Sequence, residues 1–211
     1  MPSGSTLAVF ALASFLLIVV PGPAVLYVVT RSIAQGRRAG LVSMLGVEAG
    51  GLVHVAAAAI GLSAVIASSA TAFTVVKLAG AAYLIFLGVR RLVARDDALP
   101  EVAVSGRSGK RLFAQGVVVN VLNPKTAVFF LAFLPQFVDP AQGSVTLQFV
   151  VLGLIFVAVA VVSDGAYALV AGTAGDRLRG SERVRRGLSR FSGLVFVGLG
   201  VTAALSGRPN D

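Results

Sequence analysis

Three charged residues stand in surroundings that would ordinarily exclude charge. Lys125 lies in NVLNPKTAVFFLAFL, Glu48 in GLVSMLGVEAGGLVH and Asp164 in LIFVAVAVVSDGAYALV. A buried ammonium calls for a carboxylate or a bound anion, and a pair of carboxyls facing one low-dielectric cavity can trade a proton for a bound cation. Other chemistries lack their parts. The chain has no Cys, which removes disulfides, thiolate metal sites and Cys nucleophiles, and its single His is His54. Glu48 and Asp164 alone are too sparse for a carboxylate metal site. No nucleophile and base converge, so no enzyme is expected. The glycines are scattered through apolar runs with no phosphate loop, so no cofactor is expected either.

The elements that must hold these three residues follow from composition. Apolar residues make up 56% of the 211 positions and charged residues 13%, and mean hydropathy is +0.90. Soluble domains carry about 25% charge, and so little polar sequence cannot cover so apolar a core. The chain belongs in a bilayer, where a spanning helix takes about 20 apolar residues. Six stretches qualify: 6–30, 40–66, 71–93, 112–137, 145–172 and 188–206. The first is not a cleaved leader, because residues 1–20 contain no Lys or Arg and the apolar run continues past Pro21 to Val29.

Lys and Arg number 18 against 9 Asp and Glu, a net charge of +9. Three cations (Arg31, Arg37, Arg38) follow the first span, six lie between Arg90 and Arg111, and six between Arg177 and Arg190. The alternate connections carry none. This asymmetry places loops 31–39, 94–111 and 173–187 in the cytoplasm and both termini outside. Nucleic-acid binding would explain neither the alternation nor the spans, although the last basic loop could also rest on anionic lipid.

Six spans form two groups of three, and an odd number per group inverts the second relative to the first. The expected architecture is one all-α transmembrane domain, residues 1–211, with repeat one at 6–93, a cytoplasmic loop at 94–111 and repeat two at 112–206. Pro21-Gly22-Pro23-Ala24-Val25-Leu26-Tyr27 aligns with Pro124-Lys125-Thr126-Ala127-Val128-Phe129-Phe130 at Pro, Ala and Val. Proline-interrupted spans in corresponding positions of two halves point to a midplane binding site. Pro21 and Pro23 cannot donate to the carbonyls of Leu17 and Val19, nor Pro124 to that of Asn120. Broken backbone at that depth survives only where protein or a cavity satisfies it.

By helical rise, Glu48 and Asp164 each sit about 12 Å from the cytoplasmic side and Lys125 near midplane. His54, two turns beyond Glu48, points about 120° away from it and is assigned to the core or an interface. Ala160, Asp164, Ala168 and Ala171 share a small-residue face beside Tyr167. Gly46 and Gly50 make a close-packing signal, read as packing within the chain in preference to a homodimer.

Longer blocks carry a resemblance: VPGPAVLYV at 20–28, GRRAGLVSMLGVEAGGLVH at 36–54, KLAGAAYLIFLGVRRL at 77–92 and GVVVNVLNPKTAVFFLAFLPQFV at 116–138. The chain resembles the lysine exporter and homoserine/threonine resistance family of small bacterial inner-membrane proteins. That resemblance implies export of amino acids or related metabolites driven by the proton gradient, with small-molecule substrate, protons and lipid as partners. It singles out Pro21, Gly22, Pro23, Asn123, Pro124 and Lys125 for substrate binding, and Asp164. Together with the reading above, Glu48 and Asp164 are expected to carry the proton or hold the substrate ammonium, with Tyr27, Asn120 and Tyr167 lining the cavity. An uncoupled channel and a non-transporting scaffold are the alternatives.

Overall fold

The computed structural model describes residues 1–62, 70–93 and 108–178, with the isolated helical positions Leu194, Val197, Gly198, Val201 and Ala204. Every described element is helical. In chain order these are α1 (Gly4–Val19), α2 (Pro23–Gln35), α3 (Arg37–Ala57, running on into a π turn, Ala58–Leu62), α4 (Ala70–Val93), α5 (Gly109–Val121), α6 (Pro124–Val128) and α7 (Val145–Leu178). After α6 the chain continues through a π turn, Phe129–Phe133, and a 3-10 turn, Leu134–Phe137.

The prolines end helices rather than bending them. α1 starts on a Ser3 cap whose hydroxyl accepts from the Thr6 amide at 3.2 Å. It stops where Val20 and Gly22 turn extended, and α2 restarts with Pro23 in its first turn, where a missing N–H costs nothing. The axes of α1 and α2 differ by 55°. The same sequence of events separates α5 from α6: Asn123 is extended, Pro124 opens the new helix, and the bend is 44°.

Among the described residues, Arg37–Leu62 and Val145–Thr173 are long and apolar enough to cross a membrane, and each bent pair passes the same test as one broken span. Large apolar side chains face outward along them, Leu45, Leu52, Val53, Leu154 and Val162 included, as a lipid-facing surface requires. The third expected span coincides with α4, whereas the sixth, 188–206, lies outside the described residues apart from the isolated positions.

Loop boundaries need correction. Residues 31–39 are not a connection: Arg31 lies in α2, Arg37 opens α3, and Gly36 alone joins them at φ 83°, a left-handed value that favours glycine. Residues 109–111 already belong to α5, and 173–178 still belong to α7. Counting cations located the ends of spans but not where the helices stop.

α3 is central, with α2, α5 and α7 packed on it. Its approach to α5 depends on missing side chains. A Cβ on Gly46 would collide with the Phe113 carbonyl, one on Gly50 would lie 2.7 Å from the Val117 oxygen, and one on Gly116 would lie 2.5 Å from the Ser43 oxygen. The Gly46 and Gly50 face is therefore filled from within the chain and is not open to a second copy. A separate aromatic core, with Phe10, Phe129, Phe133 and Phe156 at its centre, closes the α1 and post-α6 side.

Candidate functional site

Each proline break leaves carbonyls to be satisfied, and partners arrive mostly from elsewhere in the chain. At the first break the Leu17 oxygen accepts from the Val20 amide at 3.2 Å. The Val19 oxygen accepts the Tyr167 hydroxyl from α7 at 2.8 Å, and the Val20 oxygen accepts the Lys125 ammonium. At the second break the Asn120 oxygen accepts from the Asn123 amide at 2.9 Å, and the His54 Nε2 lies 2.9 Å from the same oxygen. Side chains of one broken span or its neighbours thus complete the backbone of the other.

The second break is further organised by two amides. Asn123 caps α6, its Oδ1 accepting from the Lys125 amide at 3.1 Å. Asn120 donates through Nδ2 to the Val47 oxygen at 2.7 Å and accepts at Oδ1 from the Thr126 hydroxyl at 3.0 Å. Asn120 therefore ties the end of α5 to both α3 and α6.

Between the breaks lies a cavity of about 30 Å³, lined by Gly22, Glu48, Asn120, Asn123, Lys125 and Asp164 among others, with Leu17, Val25, Phe156 and Ala160 as apolar walls. It has room for one or two waters. The charged residues are deeply buried, Glu48 at 6%, Lys125 at 7% and Asp164 at 3% exposure. The side chains of Glu48 and Asp164 lie within interacting distance of each other, and Lys125 lies within electrostatic reach of Asp164. Glu48 Oε1 and Asp164 Oδ1 have no hydrogen-bond partner. One ammonium, two neighbouring carboxyls and uncommitted acceptor oxygens suit a small molecule bearing both signs of charge.

The structure thus brings together Gly22, Glu48, Asn120, Asn123, Lys125 and Asp164. Pro21, Pro23 and Pro124 are not among the lining residues; they make the breaks that admit the others. Tyr27 and Tyr167 also stand outside the lining, contrary to expectation. A buried phenol seeks an acceptor, and each found a backbone carbonyl, Tyr27 that of Leu112 at 2.8 Å and Tyr167 that of Val19. His54 had been set aside on its direction relative to Glu48. The signal that points to it is Pro124, which denies the Asn120 carbonyl its helical donor and leaves room there for a side-chain partner beside the Asn123 amide. Arg31, counted with a solvated loop, is buried in α2.

Comparison with known proteins bears on the whole assembly. A family model described as LysE type translocator matches residues 15–207. A homoserine/homoserine lactone efflux protein of Salmonella typhimurium is 32% identical over 92% of this chain and 94% of its own length. A threonine efflux protein of Salmonella typhi is 27% identical over 88% and 91%, and a leucine efflux protein of Salmonella choleraesuis 26% identical over 68% of each. No solved structure matches the chain.

Proposed function

The chain belongs to the LysE type translocator family, and from that premise we propose that it exports amino acids or closely related small metabolites across the bacterial cytoplasmic membrane in exchange for protons. The observation that carries this reading is the buried cavity between two broken helices, with one ammonium and two carboxyls around it. Relatives named for efflux of homoserine, threonine and leucine support the substrate class.

In this reading the substrate carboxylate sits against Lys125 and the first amides of α2, at Ala24 and Val25, where a helix N-terminus favours an anion. Both residues line the cavity, and Gly22 caps the helix without a side-chain bond. The substrate ammonium replaces the proton held between Glu48 and Asp164. A proton arriving from outside takes the place of the ammonium between the two carboxyls and releases it, so one zwitterionic substrate leaves for each proton that enters.

With room for only one or two waters, the cavity must widen to load an amino acid. Rocking of repeat one (6–93) against repeat two (112–206), joined by 94–111 in a single inverted-repeat domain of six spans, would open it to each side in turn. Both termini lie outside in this arrangement. The test is efflux of labelled homoserine, threonine and leucine from preloaded cells, with and without a protonophore. Efflux indifferent to the gradient overturns the coupling, and efflux intact in both Lys125→Ala and Asp164→Asn overturns the site.

A further inference from the structure

Arg31 is the bulkiest fully buried side chain, 2% exposed, although its charge is permanent. A buried charge is costly unless paired and hydrogen-bonded. Its Nη2 donates to Gln115 Oε1 at 3.3 Å, and the guanidinium carbon lies 5.6 Å from the centre of the Tyr27 ring. Its Nε and Nη1 have no acceptor among the described residues. One turn along α2, on the same face, Gln35 Nε2 is buried without a partner too. The unmatched atoms of Arg31 and Gln35 are all N–H donors, and the Thr30 hydroxyl beside Arg31 on α2 is unmatched as well. Among the described residues, what Arg31 lacks is an anionic acceptor beside its fixed positive charge.

The position of Arg31 suggests which anion. It lies nine residues beyond Gly22, the residue packed against Lys125, and so about 13 Å along α2 from the central cavity. It sits on the Gly36 side of both breaks, where Tyr27 and Arg31 tie α2 to Leu112 and Gln115 of α5. In the export reading, on which this inference rests, that is the cytoplasmic approach.

We propose that Arg31 forms a second anion site on the cytoplasmic approach, taking the carboxylate of an amino-acid substrate before it reaches Lys125. A carboxylate bound there supplies the missing acceptor and competes with Gln115 for the guanidinium, so substrate arrival loosens a link between α2 and α5.

Two measurements test it. In everted vesicles, which expose the cytoplasmic face, Arg31→Gln and Arg31→Met should raise KM for labelled homoserine about tenfold or more, as loss of a charge-assisted bond would, with kcat nearly unchanged, and Arg31→Lys should recover most of the affinity. A KM at the parental value in Arg31→Met overturns the proposal, as does a loss confined to kcat. The second measurement does not depend on export. The purified full-length protein should melt at a higher temperature in sodium acetate than in sodium chloride, and Arg31→Met should abolish that difference while melting no lower than the parent in chloride, since it removes an unpaired buried charge. An acetate shift retained in Arg31→Met, or absent from the parent, overturns the site. Vesicles inactive toward homoserine, threonine and leucine alike, with the acetate shift present and Arg31-dependent, would count against the export reading and uphold the anion site.

Discussion

The Cβ that Gly22 lacks would lie 2.8 Å from Cδ of Lys125. The end of the first broken span and the stem of the buried ammonium therefore pack with nothing between them, while the head of Lys125 closes on the Val20 carbonyl two residues earlier. Break and charge form one unit, drawn from opposite halves of the chain.

Gly22→Ala should act through that contact. The backbone there, φ −108°, accepts alanine, so the methyl group's only effect is to push Lys125 aside. Overpacking of this kind costs about 1–3 kcal/mol. Thermal melting should register a loss within that range, while efflux falls by more than the remaining folded fraction explains. Parental efflux in Gly22→Ala would separate Lys125 from transport.

The carboxyl pair makes a second expectation. Glu48→Gln leaves a hydrogen-bonding side chain beside Asp164 but removes the carboxyl that, in the proposed cycle, exchanges the proton. Acid outside should speed efflux by the parent, since it delivers the proton that releases the substrate. In Glu48→Gln that acceleration should vanish, leaving slow, gradient-following flux. Asp164→Asn should lose substrate affinity as well, because Asp164 is also the carboxylate on which Lys125 acts. Efflux measured across a range of external pH decides both.

Tyr167→Phe should separate stability from binding. It deletes one oxygen and leaves the Val19 carbonyl without its 2.8 Å bond, an omission worth about 1–3 kcal/mol for a buried acceptor. Melting temperature should fall clearly, and KM should move little because Tyr167 does not line the cavity.

Gly46→Ala should be far more damaging than its size suggests. The added methyl meets the Phe113 backbone oxygen, which can yield only by moving α5 off α3. Folded yield after detergent extraction should collapse. Gly61→Ala, with nothing within 4 Å of the new methyl, should leave yield at the parental level, which makes it the matched control.

Much of the site was legible because proline acts locally. Pro21, Pro23 and Pro124 remove N–H donors whatever surrounds them, so the helix ends after Val19 and Val121 follow from the residues alone. That Lys125, Glu48 and Asp164 are buried was also legible, since each stands well inside a long apolar run. Direction across the bundle did not. Tyr27 and Tyr167 were expected in the cavity and instead bind carbonyls, and His54, judged by its angle to Glu48, serves the break at Asn120. Arg31 was misread because a cation at the end of an apolar run is ordinarily solvated, whereas here α2 continues to Gln35 with Arg31 inside the bundle.

By itself the sequence determined that this chain is helical and membrane-bound, where two of its spans break, and that Lys125, Glu48 and Asp164 are buried, though not Arg31. These are properties of single residues and of runs. Tertiary structure alone decided that Glu48 meets Asp164, that Lys125 reaches across to the first break, and that α5 seats on α3. Such contacts join residues far apart in the chain and depend on clearances as small as one missing methyl group, which only the packed helices set.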